Sequence, residues 1–256
     1  MTPDPVPLLC LPYAGAGASL FHAWQPQVPP GIRLAPLQLP GREERTDEEP
    51  FRDAASAVRA LLPEAVAAAA GHRRVAVLGH SMGAVLAFEL VRALEERTEI
   101  PVAHLYVSGS PGPCHGRAES TADLDDEAFL AAVERLAGYR HAAFDVPELR
   151  ELLLPLLRAD VALHETYRPL ADAPVEAPLT CLRGDLDSLV TAEDAAQWSR
   201  ATTGPFTYRE PSGGHMYLLD SPGELLRLVA ADLHPGAPAA AGVLPAGDGP
   251  AGREVP

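Results

Sequence analysis

The stretch Val77–Phe88 reads VLGHSMGAVLAF, and it places one hydroxyl, that of Ser81, between Gly79 and Gly83. The residues before Ser81 are apolar and typical of a buried strand, whereas the residues after it repeat at helical spacing. A serine in the pattern G-x-S-x-G at a strand-to-helix turn is held in a strained conformation, with its Oγ clear of the sheet. The small neighbours avoid clashes that side chains would cause. We therefore predict that Ser81 is a nucleophile rather than one residue of an ordinary glycine-rich turn.

Strands and helices alternate on both sides of this stretch. Apolar or alternating runs predict strands within 7–15, 32–41, 74–79, 102–110, 178–184 and 206–213. Helix formers at helical spacing predict helices over 51–70, 82–97, 191–202 and 221–233, and Pro63 should kink or divide the first of them. Such alternation predicts an α/β fold with a mostly parallel central sheet flanked by helices.

One segment interrupts the alternation. From about Asp123 to Tyr167 the sequence is typical of helix only, and it falls between two predicted strands. An insertion there is a candidate lid over the sheet, with a plain packing pair of helices as the alternative. We therefore expect one domain over residues 1–234 with a lid insertion at about 119–168, called the lid segment below. The Pro-, Gly- and Ala-rich residues 235–256 are expected to form a disordered tail.

Composition argues against several classes of function. The formal net charge is −15, so nucleic acid and anionic membrane surfaces are poor partners. All 20 basic residues are arginine, which excludes a Schiff-base lysine, a Ser–Lys dyad and a phosphate-binding Walker lysine. No apolar run approaches the ~20 residues of a membrane span, and the first residues lack the features of a secretory signal. The 3 cysteines are widely spaced, which argues against a disulfide framework or a zinc site and favours a cytoplasmic location.

A serine nucleophile needs a base, and the base needs an acid that orients it. In this kind of sheet the partners follow in the order serine, acid, histidine, each after a later strand. Asp185 and Asp187 come just beyond one predicted strand, and His215 comes just beyond the last one. The glycines before His215 allow a compact loop that places the imidazole over the sheet edge. The sequence thus predicts a triad of Ser81, His215 and one of these two aspartates.

The oxyanion that forms during acyl transfer needs backbone N–H donors. The loop LPYAGAGAS at 11–19 follows the first strand, and its small residues let the backbone approach a bound carbonyl oxygen closely. We expect the N–H of Ala14, with that of Tyr13 next, to be one donor, and the N–H of Met82 at the helix N-terminus to be the other. The alternative for the loop is a glycine-rich turn with no catalytic part.

Other histidines compete less well for the role of base. His80 adjoins Ser81, but consecutive residues entering the turn point apart, so it should not reach the Ser81 hydroxyl. His164 lies in the lid segment, where it could touch substrate, although a solvated side chain is the expectation there.

With these motifs in place, the sequence resembles the type II thioesterases that accompany modular polyketide synthases and nonribosomal peptide synthetases, which have the α/β-hydrolase fold. The resemblance runs from about Leu8 to Leu233 and rests on LPYAGAGAS, QLPGREER, LGHSMGAVLAFEL, LYVSGS, LLLPLLRADVALHETY, LRGDLDSLV and GGHMYLL, in the order of the family. It implies that Ser81 is the nucleophile and His215 the base. The family pattern Gly-x-x-Asp-x-x-Val implies that the acid is Asp187.

The resemblance also implies a reaction. Such enzymes hydrolyse acyl or aminoacyl groups from the phosphopantetheine arm of carrier proteins, and so clear stalled or wrong units from an assembly line. Acyl and peptidyl carrier proteins are then the partners, and the two-step acyl transfer needs no metal or other cofactor. The sequence departs from the family at Glu43, where glycine is common, and at Ser110, where arginine is common. Neither position is expected to touch the triad.

Three other functions stay open on the sequence. A general carboxylesterase or lipase of the same fold has the same triad. Chain-releasing macrocyclising thioesterases are usually fused to a synthase, whereas this sequence is typical of one free-standing domain. A non-catalytic α/β-hydrolase-like binding protein is the third alternative, and the intact set of serine, aspartate and histidine argues against it.

Overall fold

Strands and helices alternate along most of the chain, as the sequence predicts. The computed structural model describes residues 4–114, 120–137 and 142–235. The strands are β1 (Val6–Leu11), β2 (Ile32–Pro36), β3 (Val75–His80), β4 (Val102–Ser108), β5 (Leu179–Leu182) and β6 (Phe206–Arg209). The helices are α1 (Ser19–His22), α2 (Ala54–Ala69), α3 (Met82–Arg97), α4 (Asp126–Ala137), α5 (Pro147–Thr166), α6 (Ala192–Ala196), α7 (Tyr217–Asp220) and α8 (Pro222–Leu233). The strands form one sheet in the order β2-β1-β3-β4-β5-β6, and every neighbouring pair is parallel.

Each face of the sheet carries its own apolar core, because successive side chains of a strand point to opposite faces. Leu9 and Leu11 of β1 pack with residues of α2 and α3, whereas Leu8 and Cys10 pack on the other face with residues of α8. Strands β1 and β3 are buried along their whole length, as expected for strands covered on both faces. Since the strands are parallel, the loops that leave their carboxyl ends all meet at one edge of the sheet, where ligand sites of open α/β sheets lie.

Helix α2 runs unbroken through Pro63, so the expected division of this helix was wrong. Proline has no N–H to bond the carbonyl of the residue four positions earlier, here Arg59. Both residues are exposed, so water can satisfy that carbonyl, while Ala57 and Leu61 on the opposite side are buried against the core. Asp53 caps the start of the helix by accepting a hydrogen bond of 2.8 Å from the backbone N–H of residue 56.

Helices α4 and α5 lie between β4 and β5, where the sequence predicts the lid segment. Their facing side chains form a small apolar cluster of Phe129, Leu130, Leu154, Leu157 and Val161. Residues 119 and 138–141 of the lid segment lie outside the described residues, as do residues 236–256, which make up nearly all of the expected tail. Within the described part of the chain, no helix is both long and apolar enough to cross a bilayer.

Candidate active site

Ser81 occupies a strained turn between β3 and α3. Its φ of 54° and ψ of −115° are unusual for a residue with a side chain. The flanking glycines are required by close approach of the backbone. A Cβ on Gly79 would lie 1.9 Å from the carbonyl oxygen of Gly83, and a Cβ on Gly83 would lie 2.3 Å from that of Leu11. The G-x-S-x-G motif therefore reflects the tight packing of this turn against its own helix and against β1.

Backbone hydrogen bonds hold the turn in this conformation. The Ser81 N–H donates to the carbonyl of Ser108 on the neighbouring strand at 2.8 Å, and the Ala84 N–H donates to the Ser81 carbonyl at 3.0 Å. Met82 is the first residue of α3, and the first N–H groups of a helix have no partner within the helix. The helix N-terminus also carries partial positive charge, which suits the Met82 N–H to the proposed role of oxyanion donor.

His215 and Asp187 form a buried hydrogen-bonded pair. His215 Nδ1 lies 2.8 Å from Asp187 Oδ2, and their side chains are 9% and 0% exposed. The other carboxylate oxygen accepts the N–H groups of Leu189 at 2.8 Å and Val190 at 3.2 Å. Desolvation acts to raise the pKa of Asp187, but the hydrogen bond and charge of His215 and the two backbone donors outweigh it and hold the pKa below its usual value. Asp187 is thus ionised at neutral pH and leaves His215 Nε2 available as a base.

Asp185 has a different place from Asp187. Its carboxylate accepts the N–H of Gly213 at 2.8 Å, and its own N–H donates to the carbonyl of Pro211 at 2.9 Å. Asp185 therefore joins the loop after β5 to the loop that precedes His215. Of the two aspartates left open by the order of strands, the structure brings Asp187 to the imidazole.

A cavity of about 400 Å³ adjoins Ser81 and His215, and Ala14 lines the same cavity. The lid segment supplies much of its apolar wall, through Leu130, Val133, Leu153, Leu156, Leu157 and Val161. A largely apolar cavity with a few polar groups is the usual form of a small-molecule site. The predicted nucleophile, base and loop donor thus meet beneath the lid segment.

The expectation of a solvated His164 was wrong. His164 is 8% exposed and lines the cavity. On α5 it follows Leu157 and Val161 at spacings of seven and three residues, so it shares their face of the helix, and that face covers the cavity. This spacing is the signal that could have placed His164 inside.

His80 belongs to a buried hydrogen-bonded network next to His215, and the sequence did not predict this network. Its Nδ1 lies 2.8 Å from Ser108 Oγ, which lies 2.8 Å from the hydroxyl of Tyr217. The His80 ring centroid is 5.0 Å from that of His215. Burial lowers the pKa of His80 well below its usual value, and the charges of the nearby His215 and His164 lower it further. His80 is therefore neutral at neutral pH. A neutral neighbour does not oppose a positive charge on His215.

The two positions that depart from the family contact the loops around the site. Glu43 has a φ of 51°, a conformation that favours glycine, and its carboxylate accepts the Ser19 hydroxyl at 2.5 Å. It also lines the cavity. Ser110 is buried, and its carbonyl accepts the indole N–H of Trp198 at 2.9 Å.

Comparisons with known proteins show the family to which the chain belongs. Residues 6–233 match the thioesterase domain family. Thioesterase PikA5 of Streptomyces venezuelae is 38% identical over 218 residues, which are 84% of this chain and 76% of that protein. The gramicidin S biosynthesis protein GrsT of Aneurinibacillus migulanus is 34% identical, and the alignment covers 88% of each chain.

Solved structures show the same fold. The type II thioesterase BorB from the borrelidin biosynthetic cluster is 37% identical with a TM-score of 0.80, over 91% of this chain and 94% of that chain. RedJ, a thioesterase from the prodiginine pathway in Streptomyces coelicolor, is 31% identical with a TM-score of 0.79, over 90% of this chain and 86% of that chain. Because the family match runs through every strand of the sheet, the chain belongs to the thioesterase domain family: it is an α/β-hydrolase that hydrolyses thioesters.

Proposed function

We propose that this protein is an editing thioesterase that removes acyl or aminoacyl groups from the phosphopantetheine arm of acyl or peptidyl carrier proteins. The observation that carries the proposal is the apolar cavity under the lid segment, which adjoins both Ser81 and His215. An acyl chain on a thin arm can enter such a cavity while the carrier remains outside. A relative named for gramicidin S biosynthesis and a structural neighbour named as a type II thioesterase of the borrelidin biosynthetic cluster support the same substrate class.

The proposed mechanism has two acyl-transfer steps. Ser81 Oγ attacks the thioester carbonyl carbon while His215 Nε2 takes the hydroxyl proton, and the charged imidazole is stabilised by Asp187. The N–H groups of Met82 and Ala14 donate to the oxyanion of the tetrahedral intermediate. When the C–S bond breaks, the proton passes from His215 to the leaving thiol. His215 then takes a proton from a water that attacks the acyl-serine carbonyl, and passes it to Ser81 Oγ as the bond between Oγ and the acyl carbon breaks and the free acid leaves.

A carrier-borne substrate should be preferred over a short one. We expect an acyl–carrier thioester to have a higher kcat/KM than the matching short-arm acyl-N-acetylcysteamine thioester, mainly through a lower KM, because carrier contacts add binding without changing the reacting bond. Steady-state kinetics with the same acyl group on both thiols measure this. Equal kcat/KM values would contradict the proposal and favour a general carboxylesterase.

Ionic strength adds a second readout to this comparison. A net charge of −15 repels an acidic carrier at long range, so docking should depend on local contacts. Added salt screens that repulsion. We therefore expect the KM for the carrier substrate to stay constant or fall as salt rises if docking uses a local apolar patch. A steep rise would show that docking uses a local basic patch, because salt also screens its attraction to the carrier.

The inner face of the lid segment should set the length of acyl chain that is accepted. Leu153 lines the cavity, whereas its neighbour Leu152 is 63% exposed. We expect Leu153→Phe to shift the optimum of kcat/KM towards shorter acyl chains, since the larger ring takes up space in the cavity. The matched control, Leu152→Phe, should keep the wild-type profile over a series of straight-chain acyl thioesters. If the wild type, Leu153→Phe and Leu152→Phe all showed the same dependence of kcat/KM on acyl-chain length, this face would be excluded as the acyl site.

We also propose a cytoplasmic location for this reaction. All 3 cysteines of the chain are free in the structure, which fits a reducing compartment. Neither nucleic acid nor a membrane is expected among its partners, in line with the strongly negative charge.

A further inference from the structure

A buried ion pair joins the lid segment to the body of the protein. The guanidinium of Arg42, in the loop after β2, donates two hydrogen bonds of 2.7 and 2.8 Å to the carboxylate of Asp160 on α5. The two side chains are 5% and 2% exposed. Buried ion pairs are costly to desolvate and are often no more stabilising than apolar side chains of similar volume. Stability alone is therefore a weak reason for this pair.

The same pair holds the loop after β1. Asp160 Oδ2 also accepts the N–H of Gly15 at 2.8 Å, and the guanidinium of Arg42 donates to the carbonyl of Ala16 at 2.9 Å. Gly15 has a φ of 83°, and the carbonyl of Tyr13 accepts the N–H of Ala16 at 3.1 Å. A positive φ at the third residue of a four-residue turn is what a type II turn requires. Asp160 therefore fixes the central peptide of this turn, between Ala14 and Gly15.

This turn sets the direction of the Ala14 N–H. The N–H and C=O groups of one trans peptide point in opposite directions. The carbonyl of Tyr13 points into the turn, because it accepts the hydrogen bond from the N–H of Ala16. The N–H of Ala14 belongs to the same peptide and therefore points out of the turn. Both Ala14 and Gly15 line the cavity that adjoins Ser81. A change at Asp160 would thus be transmitted to the proposed oxyanion donor through a single peptide.

We propose that Asp160 and Arg42 are positioning residues of the oxyanion hole, and that they make its geometry depend on the seating of the lid segment. With α5 in place, Asp160 holds the turn, and the Ala14 N–H points towards the position of the oxyanion. With α5 displaced, the turn loses the acceptor for Gly15, and the oxyanion loses part of its stabilisation. This inference rests on the proposed function, in which Ala14 is a donor to the oxyanion.

The test is Asp160→Asn in the full chain. Asparagine has nearly the same shape as aspartate, but it offers one acceptor oxygen instead of two and carries no charge. It therefore cannot replace all the hydrogen bonds that the carboxylate accepts from Arg42 and Gly15. We expect kcat for an acyl-N-acetylcysteamine thioester to fall by about 10- to 100-fold, part of the loss seen when one oxyanion donor is removed. KM should change little. Affinity for an alkyl boronic acid, which forms a tetrahedral anion on the serine, should fall by a factor similar to that in kcat.

A second variant and a control separate positioning from folding. Arg42→Met with Asp160→Leu replaces the pair by apolar side chains, which such sites often tolerate. It should keep the unfolding temperature and still lose kcat. The control is Glu89→Gln, because Glu89 pairs with Arg92 in an equally buried site. One of its oxygens also accepts the N–H of Leu170 and the hydroxyl of Tyr167 at the end of α5, and glutamine keeps an acceptor oxygen for these donors, so α5 should stay in place. Glu89→Gln should unfold at a lower temperature than the wild type, with unchanged kcat and unchanged affinity for the boronic acid.

The outcomes distinguish this inference from the proposed function. If Asp160→Asn behaves like Glu89→Gln, or if the double variant keeps the wild-type kcat and boronic acid affinity, the pair is only structural and the inference is wrong. A rise in KM at constant kcat would also overturn it, because the pair would then act on substrate binding. Equal kcat/KM values of the wild type for carrier-bound and short-arm thioesters would contradict the carrier substrate instead, and would leave the boronic acid comparison intact.

Discussion

Ser81→Ala should lower kcat by roughly 10³-fold or more, because loss of a triad nucleophile leaves only the oxyanion site and substrate binding to assist the reaction. The variant should keep the fold, since the Ser81 hydroxyl makes no capping hydrogen bond to α3. Turnover of a short-arm acyl thioester measures the first effect and thermal unfolding the second. A fluorophosphonate probe should label the wild type at Ser81 and leave the variant unlabelled.

The control for this prediction is a serine away from the site. Ser199 is exposed, and Ser199→Ala should keep wild-type kcat and labelling. Activity in Ser81→Ala, or a label found on another residue, would show that the assignment of the nucleophile is wrong.

Asp187→Asn should lower kcat by about 10⁴-fold, the order seen when the acid of a Ser–His–Asp triad becomes an amide. The amide would donate to His215 Nδ1, so the proton of the neutral imidazole would move to Nε2, and Nε2 could no longer take the Ser81 proton. The buried carboxylate that stabilises charged His215 would also be lost. Comparison of kcat for the variant and the wild type on one thioester checks this.

Asp185→Asn is the matched control, two residues away. Asparagine keeps an oxygen that can accept the Gly213 N–H, so the loop before His215 should hold its position. We expect a change in kcat of less than about tenfold, well below the loss at a triad acid. The opposite ranking of the two variants would assign the acid to Asp185 and contradict the hydrogen bond between Asp187 and His215.

The depressed pKa of Asp187 also gives a direction for pH dependence. A carboxylate whose pKa is lower in the folded than in the unfolded state stabilises the fold above its unfolded pKa, and this contribution is lost as pH falls through the folded pKa. We expect Asp187→Asn to show a smaller loss of stability than the wild type as the pH falls through this acid range. Thermal unfolding of both proteins as a function of pH measures the difference.

The sequence by itself determined the order of strands and helices, the parallel sheet, and the places of Ser81 and His215. These depend on local signals: apolar runs of strand length, helical periodicity, and glycines around a turn whose backbone is crowded by its own helix. The helix Met82–Arg97 has the bounds that the spacing predicts. Composition was also informative, because the absence of lysine excludes every mechanism that needs a lysine side chain, whatever the fold.

Only the tertiary structure decided which contacts these elements make. By position after β5 alone, Asp185 and Asp187 are equivalent. The family resemblance implied Asp187, and its physical reason is visible only in the fold, as a hydrogen bond to a residue 28 positions later. Arg42 and Asp160 are 118 positions apart, and no local pattern in either segment reports their pairing. The same holds for His80, Ser108 and Tyr217, which meet behind His215. The physical reason is that parallel strands joined by long crossovers bring distant residues to one edge of the sheet. The periodicity of a sequence indicates which face of a helix or strand is apolar, but it does not indicate which other element packs on that face.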